Sequence, residues 1–144
     1  MTLAPALLVQ RPIGGSPRLV SHRPLALVID DSDDTREVYT VVLRLEGFTV
    51  EGARDGREAL QKAVELLPDI IITDLAMPII DGWETIRRLR ADDRTRRIPI
   101  IACSGEEAPS DAHDTRADAL LTKPCPLDTL LLEVRQLLRR GAAA

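Results

Sequence analysis

The sequence predicts an α/β domain built on a parallel five-stranded sheet with helices on both faces. Three observations predict it. Short apolar runs recur without polar alternation, the pattern of strands buried on both faces. Amphipathic stretches of helical period lie between them. The two patterns alternate through the chain, and such an alternation closes most economically as a parallel sheet with crossover helices.

The elements follow in order. LALVI (25–29) forms the first strand, and Val38, Val41, Val42 and Leu45 give the next helix an apolar stripe that Gly47 terminates. FTVEGA (48–53) is a weaker strand, followed by a stripe of Leu60, Ala63, Val64 and Leu67 that ends at Pro68. DIIIT (69–73) is the third strand, and Trp83, Ile86 and Leu89 mark a third helix opened by a turn at Asp81-Gly82. IPIIAC (98–103) and ALLT (119–122) complete the sheet. Leu127, Leu130, Leu131, Val134, Leu137 and Leu138 stripe the closing helix.

Around this domain, assigned to residues 24–140, residues 1–23 carry Pro5, Pro12, Pro17 and a Gly-Gly and are expected to be a flexible leader. Residues 141–144, GAAA, are expected to be a short tail. No run approaches the ~20 apolar residues that span a bilayer, and the N-terminus lacks basic residues ahead of its apolar patch, so no secretory signal is expected. Cys103 and Cys125 have neither disulfide-framework nor zinc spacing, which points to a reducing, cytoplasmic setting. His22 and His113 lack acidic or cysteine partners at ligand spacing and are expected at the surface. A net charge of −4 gives no electrostatic reason for a nucleic-acid or anionic-membrane partner. Positive charge is almost all arginine, so the two lysines, Lys62 and Lys123, draw notice.

Ligands of parallel α/β sheets bind beyond the carboxyl ends of the strands. There the first strand ends in Asp30-Asp31, the third in Asp74, the fourth in Ser104 and the fifth in Lys123. Three carboxylates suit a hard divalent cation, and Mg²⁺ takes a few carboxylates together with waters and phosphate oxygens. A hydroxyl and an ammonium on the same rim suit a phosphoryl group. A carboxylate can itself be the nucleophile toward phosphorus. The residue types therefore indicate Mg²⁺-assisted phosphoryl transfer to an aspartate, and Asp74, single at the end of the central strand, is the best nucleophile.

With these residues in place, Leu25 to Arg140 resembles the receiver domain of bacterial two-component response regulators. The resemblance rests on VIDDS, IIITDLAMPIIDGWE, IIACSGE and LLTKP, in that order and spacing. It implies a flavodoxin-like doubly wound sheet of order 2-1-3-4-5. It implies a signalling protein, not an enzyme, that accepts a phosphoryl group on Asp74 from a sensor histidine kinase or a histidine phosphotransfer protein. Asp30, Asp31 and Asp74 would hold Mg²⁺ with the Ala76 backbone carbonyl, while Ser104 and Lys123 would contact phosphoryl oxygens. Because no effector motif follows residue 140, a single-domain receiver is expected, acting on a downstream protein by contact and not directly on nucleic acid.

Two features depart from the family pattern. Leu120 stands where an aromatic residue usually precedes the lysine by three. The segment between Ser104 and Lys123 contains Pro109 and no large apolar stripe, so a truncated fourth helix is expected between the last two strands. A monomer or weak dimer is then expected, because that helix often forms part of the family's dimer face.

Other readings compete. Asp31-x-Asp33-x-Thr35 resembles the start of haloacid-dehalogenase-type Mg²⁺-dependent phosphatases, with Asp31 as nucleophile and Asp33 as acid/base. That family needs a further acidic pair after the lysine, and here only Asp128 and Glu133 follow, within a helix. A pseudo-receiver would keep the fold as a binding module without phosphorylation. Asp33 and Asp34 read as helix caps, with Asp34 and Glu37 resembling a capping box. Arg87, Arg88, Arg90, Arg94, Arg96 and Arg97 read as a solvated basic face, and Arg135, Arg139 and Arg140 suit the end of the last helix.

Overall fold

The computed structural model describes residues 23–77, 80–105 and 116–143. Strand β1 (Leu25–Ile29) leads into α1 (Asp33–Leu45), β2 (Thr49–Ala53), α2 (Gly56–Leu66), β3 (Ile70–Asp74) and α3 (Gly82–Ala91). Then come β4 (Ile100–Ser104), β5 (Ala119–Thr122) and α4 (Leu127–Ala143). All strand pairs are parallel and the order is β2-β1-β3-β4-β5, as expected. The helix expected between β4 and β5 falls on residues 106–115, outside the described residues, as do residues 1–22, His22 and His113 among them. Helix α4 runs to Ala143.

Alternate strand residues feed two cores. Ala26, Val28, Ile70, Ile72, Ile101 and Cys103 meet α1 and α4 on one face. Leu27, Ile29, Ile71, Ile100 and Ala102 meet α2 and α3 on the other. Strands β3 and β4 are buried along their whole length, which explains their apolar runs. Each fully buried Leu or Ile contributes about 1.5–3 kcal/mol.

Two helical stripes are corrected. In α1 the buried residues are Tyr39 and Leu43, whereas Val38, Val41 and Leu45 are 46%, 50% and 80% exposed. The inward face begins with Arg36 and runs through Tyr39, Thr40 and Leu43, a helical spacing that a search for aliphatic residues passes over. In α2 the buried residues beyond the first turn are Ala59 and Ala63, and Leu67 is the exposed C-cap at φ 48°. The stripes of α3 and α4 are buried as expected through Ile86, Leu89, Leu130, Val134 and Leu137.

The start of α1 also differs. Its N-cap is Ser32, whose hydroxyl accepts from the Thr35 N–H at 3.2 Å, while Asp33 and Asp34 occupy the first turn. Serine takes the cap because it immediately precedes the first helical residue, and the two acids favour the positive end of the helix dipole. At α3 the expected turn is found: Asp81 is the N-cap and accepts from Glu84 N–H at 2.8 Å.

Candidate functional site

The chain leaves β1 toward β2 on one side and later adds β3 on the other, so the switch point lies between β1 and β3. Asp30 follows β1 directly and Asp74 ends β3. Both are buried, at 3% and 7% exposure, and Asp31 beside them is exposed. Carboxylate oxygens of Asp30, Asp31 and Asp74 all lie within 4.8 Å of one another.

Local bonds hold each acid. Asp30 donates its N–H to the Ala53 carbonyl at 3.1 Å, and its Oδ1 accepts from Ser32 N–H at 2.9 Å. Asp74 Oδ1 accepts from Ala76 N–H at 3.3 Å. Lys123, just after β5, reaches both acids: Nζ is 3.2 Å from Asp30 Oδ2 and 3.4 Å from Asp74 Oδ1. Its backbone N–H donates to the Ser104 carbonyl at 2.6 Å, which ties the end of β4 to the lysine. Ser104 is buried at the same rim.

Burial pushes the Asp74 carboxyl above its ordinary value, with Lys123 opposing and Asp30 adding to the rise. Burial pulls the Lys123 ammonium down, but Asp30 and Asp74 more than offset this and hold it protonated. Three carboxylates against one ammonium leave surplus negative charge, so the donor set fits a hard divalent cation in chemistry and spacing.

The other residues singled out lie elsewhere. Asp33 is 83% exposed and pairs with Arg36. Lys62 donates to the Gly52 carbonyl at 2.6 Å and lies near Glu58 and Glu51, a structural role. Leu120 is 39% exposed on β5. The arginines read as a solvated face are mostly ion-paired: Arg87 and Arg88 with Glu84, Arg94 with Asp92, and Arg96 with Asp93. Arg90 departs from that reading. Its side chain is 11% exposed and clamps the Arg96, Ile98 and Arg116 carbonyls and Asp118, bracing the entry to β5. Arg135 pairs with Glu46 at the end of α1.

Two supports were not anticipated. Gly82 packs so closely on the Asp74–Leu75 backbone that a Cβ there would overlap the Asp74 carbonyl and Leu75 Cα. The second is Arg36, whose Nη1 donates to the Asp30 carbonyl at 2.7 Å. Its spacing from Asp33, three residues along a helix, was the available signal.

The family model of the response regulator receiver domain matches residues 26–135. The chain belongs to the response regulator receiver family. This receiver is 38% identical over 120 residues to the DNA-binding dual master transcriptional regulator RpaA of Synechocystis, covering 81% of this chain and 50% of RpaA. It is 39% identical to the transcriptional regulatory protein PrrA of Mycobacterium tuberculosis, covering 81% and 51%. The receiver thus spans about half the length of these curated relatives. Among solved structures it resembles the chemotaxis response regulator CheY4 of Vibrio cholerae, with 32% identity, a TM-score of 0.75, and 81% and 99% of the two chains covered. A response regulator receiver protein from Pseudomonas putida is similar at 33% identity and a TM-score of 0.74, covering 80% and 98%. Among the described residues, no helix is long and apolar enough to cross a membrane.

Proposed function

We propose that this receiver accepts a phosphoryl group on Asp74 from the phosphohistidine of a sensor kinase or histidine phosphotransfer protein. The observation that carries this is the position of Asp74, at the end of β3, 3.4 Å from Lys123 and in one cluster with Asp30 and Asp31. A carboxylate oxygen of Asp74 attacks phosphorus; the donor P–N bond breaks and its electron pair stays on the imidazole. Asp30, Asp31 and Asp74, with the Ala76 carbonyl, are the residues that would hold Mg²⁺, which when bound supplies charge neutralisation between the anionic acid and the anionic phosphoryl group. Lys123 then exchanges an aspartate partner for a phosphoryl oxygen, and the Ser104 hydroxyl takes another. A groove of about 520 Å³, lined by Val38, Tyr39, Cys125 and Leu127, opens beside Lys123 on the α1 side.

The output is a contact with a downstream protein. A second reading comes from the relatives: RpaA is named as DNA-binding and is about twice as long as the matched region, and in that reading the receiver governs a DNA-binding segment. The phosphatase reading is disfavoured because Asp33, its required acid/base, faces solvent against Arg36. The test uses a phosphohistidine donor protein with Mg²⁺, comparing wild type with Asp74→Asn. Transfer to wild type alone supports the proposal. Turnover of phosphate esters dependent on Asp33 would support the phosphatase, and no transfer from any donor the pseudo-receiver.

A further inference from the structure

The three carboxylates of the cluster are not held equally. Asp30 is fixed through Ala53, Ser32 and Lys123, and Asp74 through Ala76 and Lys123. The Asp31 carboxylate has no hydrogen bond or ion pair among the described residues. Its direction depends on its backbone, and the peptide joining Asp30 to Asp31 carries the Asp30 carbonyl. That carbonyl accepts from Arg36 Nη1 at 2.7 Å.

The guanidinium is itself well anchored. Its Nη2 pairs with Asp33, and the Arg36 side chain is 18% exposed. Its stem lies beside Gly52, where a Cβ would stand 3.5 Å from Arg36 Cδ. One planar fork thus spans the peptide after β1 and the first turn of α1, a reach a single ammonium does not reproduce.

We infer that Arg36 is a positioning residue for the metal site: by gripping the Asp30 carbonyl and drawing Asp33 aside, it orients Asp31 toward a divalent cation. The inference rests on the reading of Asp30, Asp31 and Asp74 as cation ligands. It makes a prediction of unusual sign. Removing a nearby positive charge should, by Coulomb attraction alone, tighten cation binding. Losing the positioning contact weakens it, as loss of outer-shell partners does, by about 10-fold or more.

The test measures Mg²⁺ affinity of the unphosphorylated full chain by calorimetric titration. Arg36→Met is expected to weaken Mg²⁺ binding about 10-fold, and Arg36→Lys to restore part of the loss. In an Asp31→Asn background, Arg36→Met is expected to change affinity less than about 2-fold, because its route is then gone. Asp33→Asn, which leaves the carbonyl contact in place, guards against a variant that fails to fold; it should weaken binding less than Arg36→Met does. Unchanged or tighter binding in Arg36→Met, or an equal loss in the Asp31→Asn background, overturns the positioning role. Absence of Mg²⁺ binding by wild type would instead overturn the metal-site reading beneath it.

Discussion

Lys123 Nζ stands 3.4 Å from Asp74 and 3.2 Å from Asp30, so one ammonium serves both buried acids of the cluster. It fills part of the role that a cation would take, so a cation bound there would compete with it. Lys123→Ala is therefore expected to leave Mg²⁺ binding intact or a few-fold tighter, the opposite of Arg36→Met. Without metal, loss of their shared ammonium from the two acids should lower stability by about 1–2 kcal/mol, because solvent already screens the part-exposed lysine. Calorimetric titration and denaturation in chelator measure the two effects.

Burial of Asp74 costs the folded state stability. Its carboxyl is raised by burial, so its charged form is disfavoured in the folded state even with Lys123 beside it. Folding then weakens as pH rises from the ordinary carboxylate value through the raised one. In chelator, Asp74→Asn should be more stable than wild type at neutral pH, with the difference shrinking as pH falls toward the ordinary carboxylate value. Denaturant midpoints across that window check it.

Gly82→Ala forces a methyl into the Asp74 carbonyl and Leu75 Cα, which are backbone atoms and cannot swing aside. A loss of about 1–3 kcal/mol is expected, as for other overpacked sites. Chemical denaturation measures it, and Asp74 amide chemical shifts report the accompanying displacement.

The thiols should separate by burial. Cys103 is 1% exposed and its thiol is pushed up to about 12 by burial first, then by Cys125 and nearby acids. Cys125 is also raised but is only partly buried and lines the groove. Alkylation of the native protein at neutral pH is expected at Cys125 slowly and at Cys103 only on unfolding. Peptide mass spectrometry over time distinguishes them.

The strands were readable because burial on both faces leaves uninterrupted runs such as IIIT and IIAC. The candidate site is legible for a related reason: parallel order sends every strand end to one rim, which groups Asp30, Asp74, Ser104 and Lys123. The phase of α1 was not readable from aliphatic residues, because its inward face uses Arg36, Tyr39 and Thr40. The role of Arg36 leaves little trace in the sequence because it holds a backbone carbonyl, and every residue offers one of those. Gly82 likewise acts through close backbone approach, which leaves only a glycine as its trace.

The central claim is that Asp74 receives the phosphoryl group. Its most direct measurement is incubation with Mg²⁺ and a small acyl phosphate, followed by fragment mass spectrometry to locate an acid-stable, base-labile phosphoryl group. Label on Asp74, absent in Asp74→Asn and without Mg²⁺, is the expected result. Label on Asp31, or label that persists in Asp74→Asn, would contradict it.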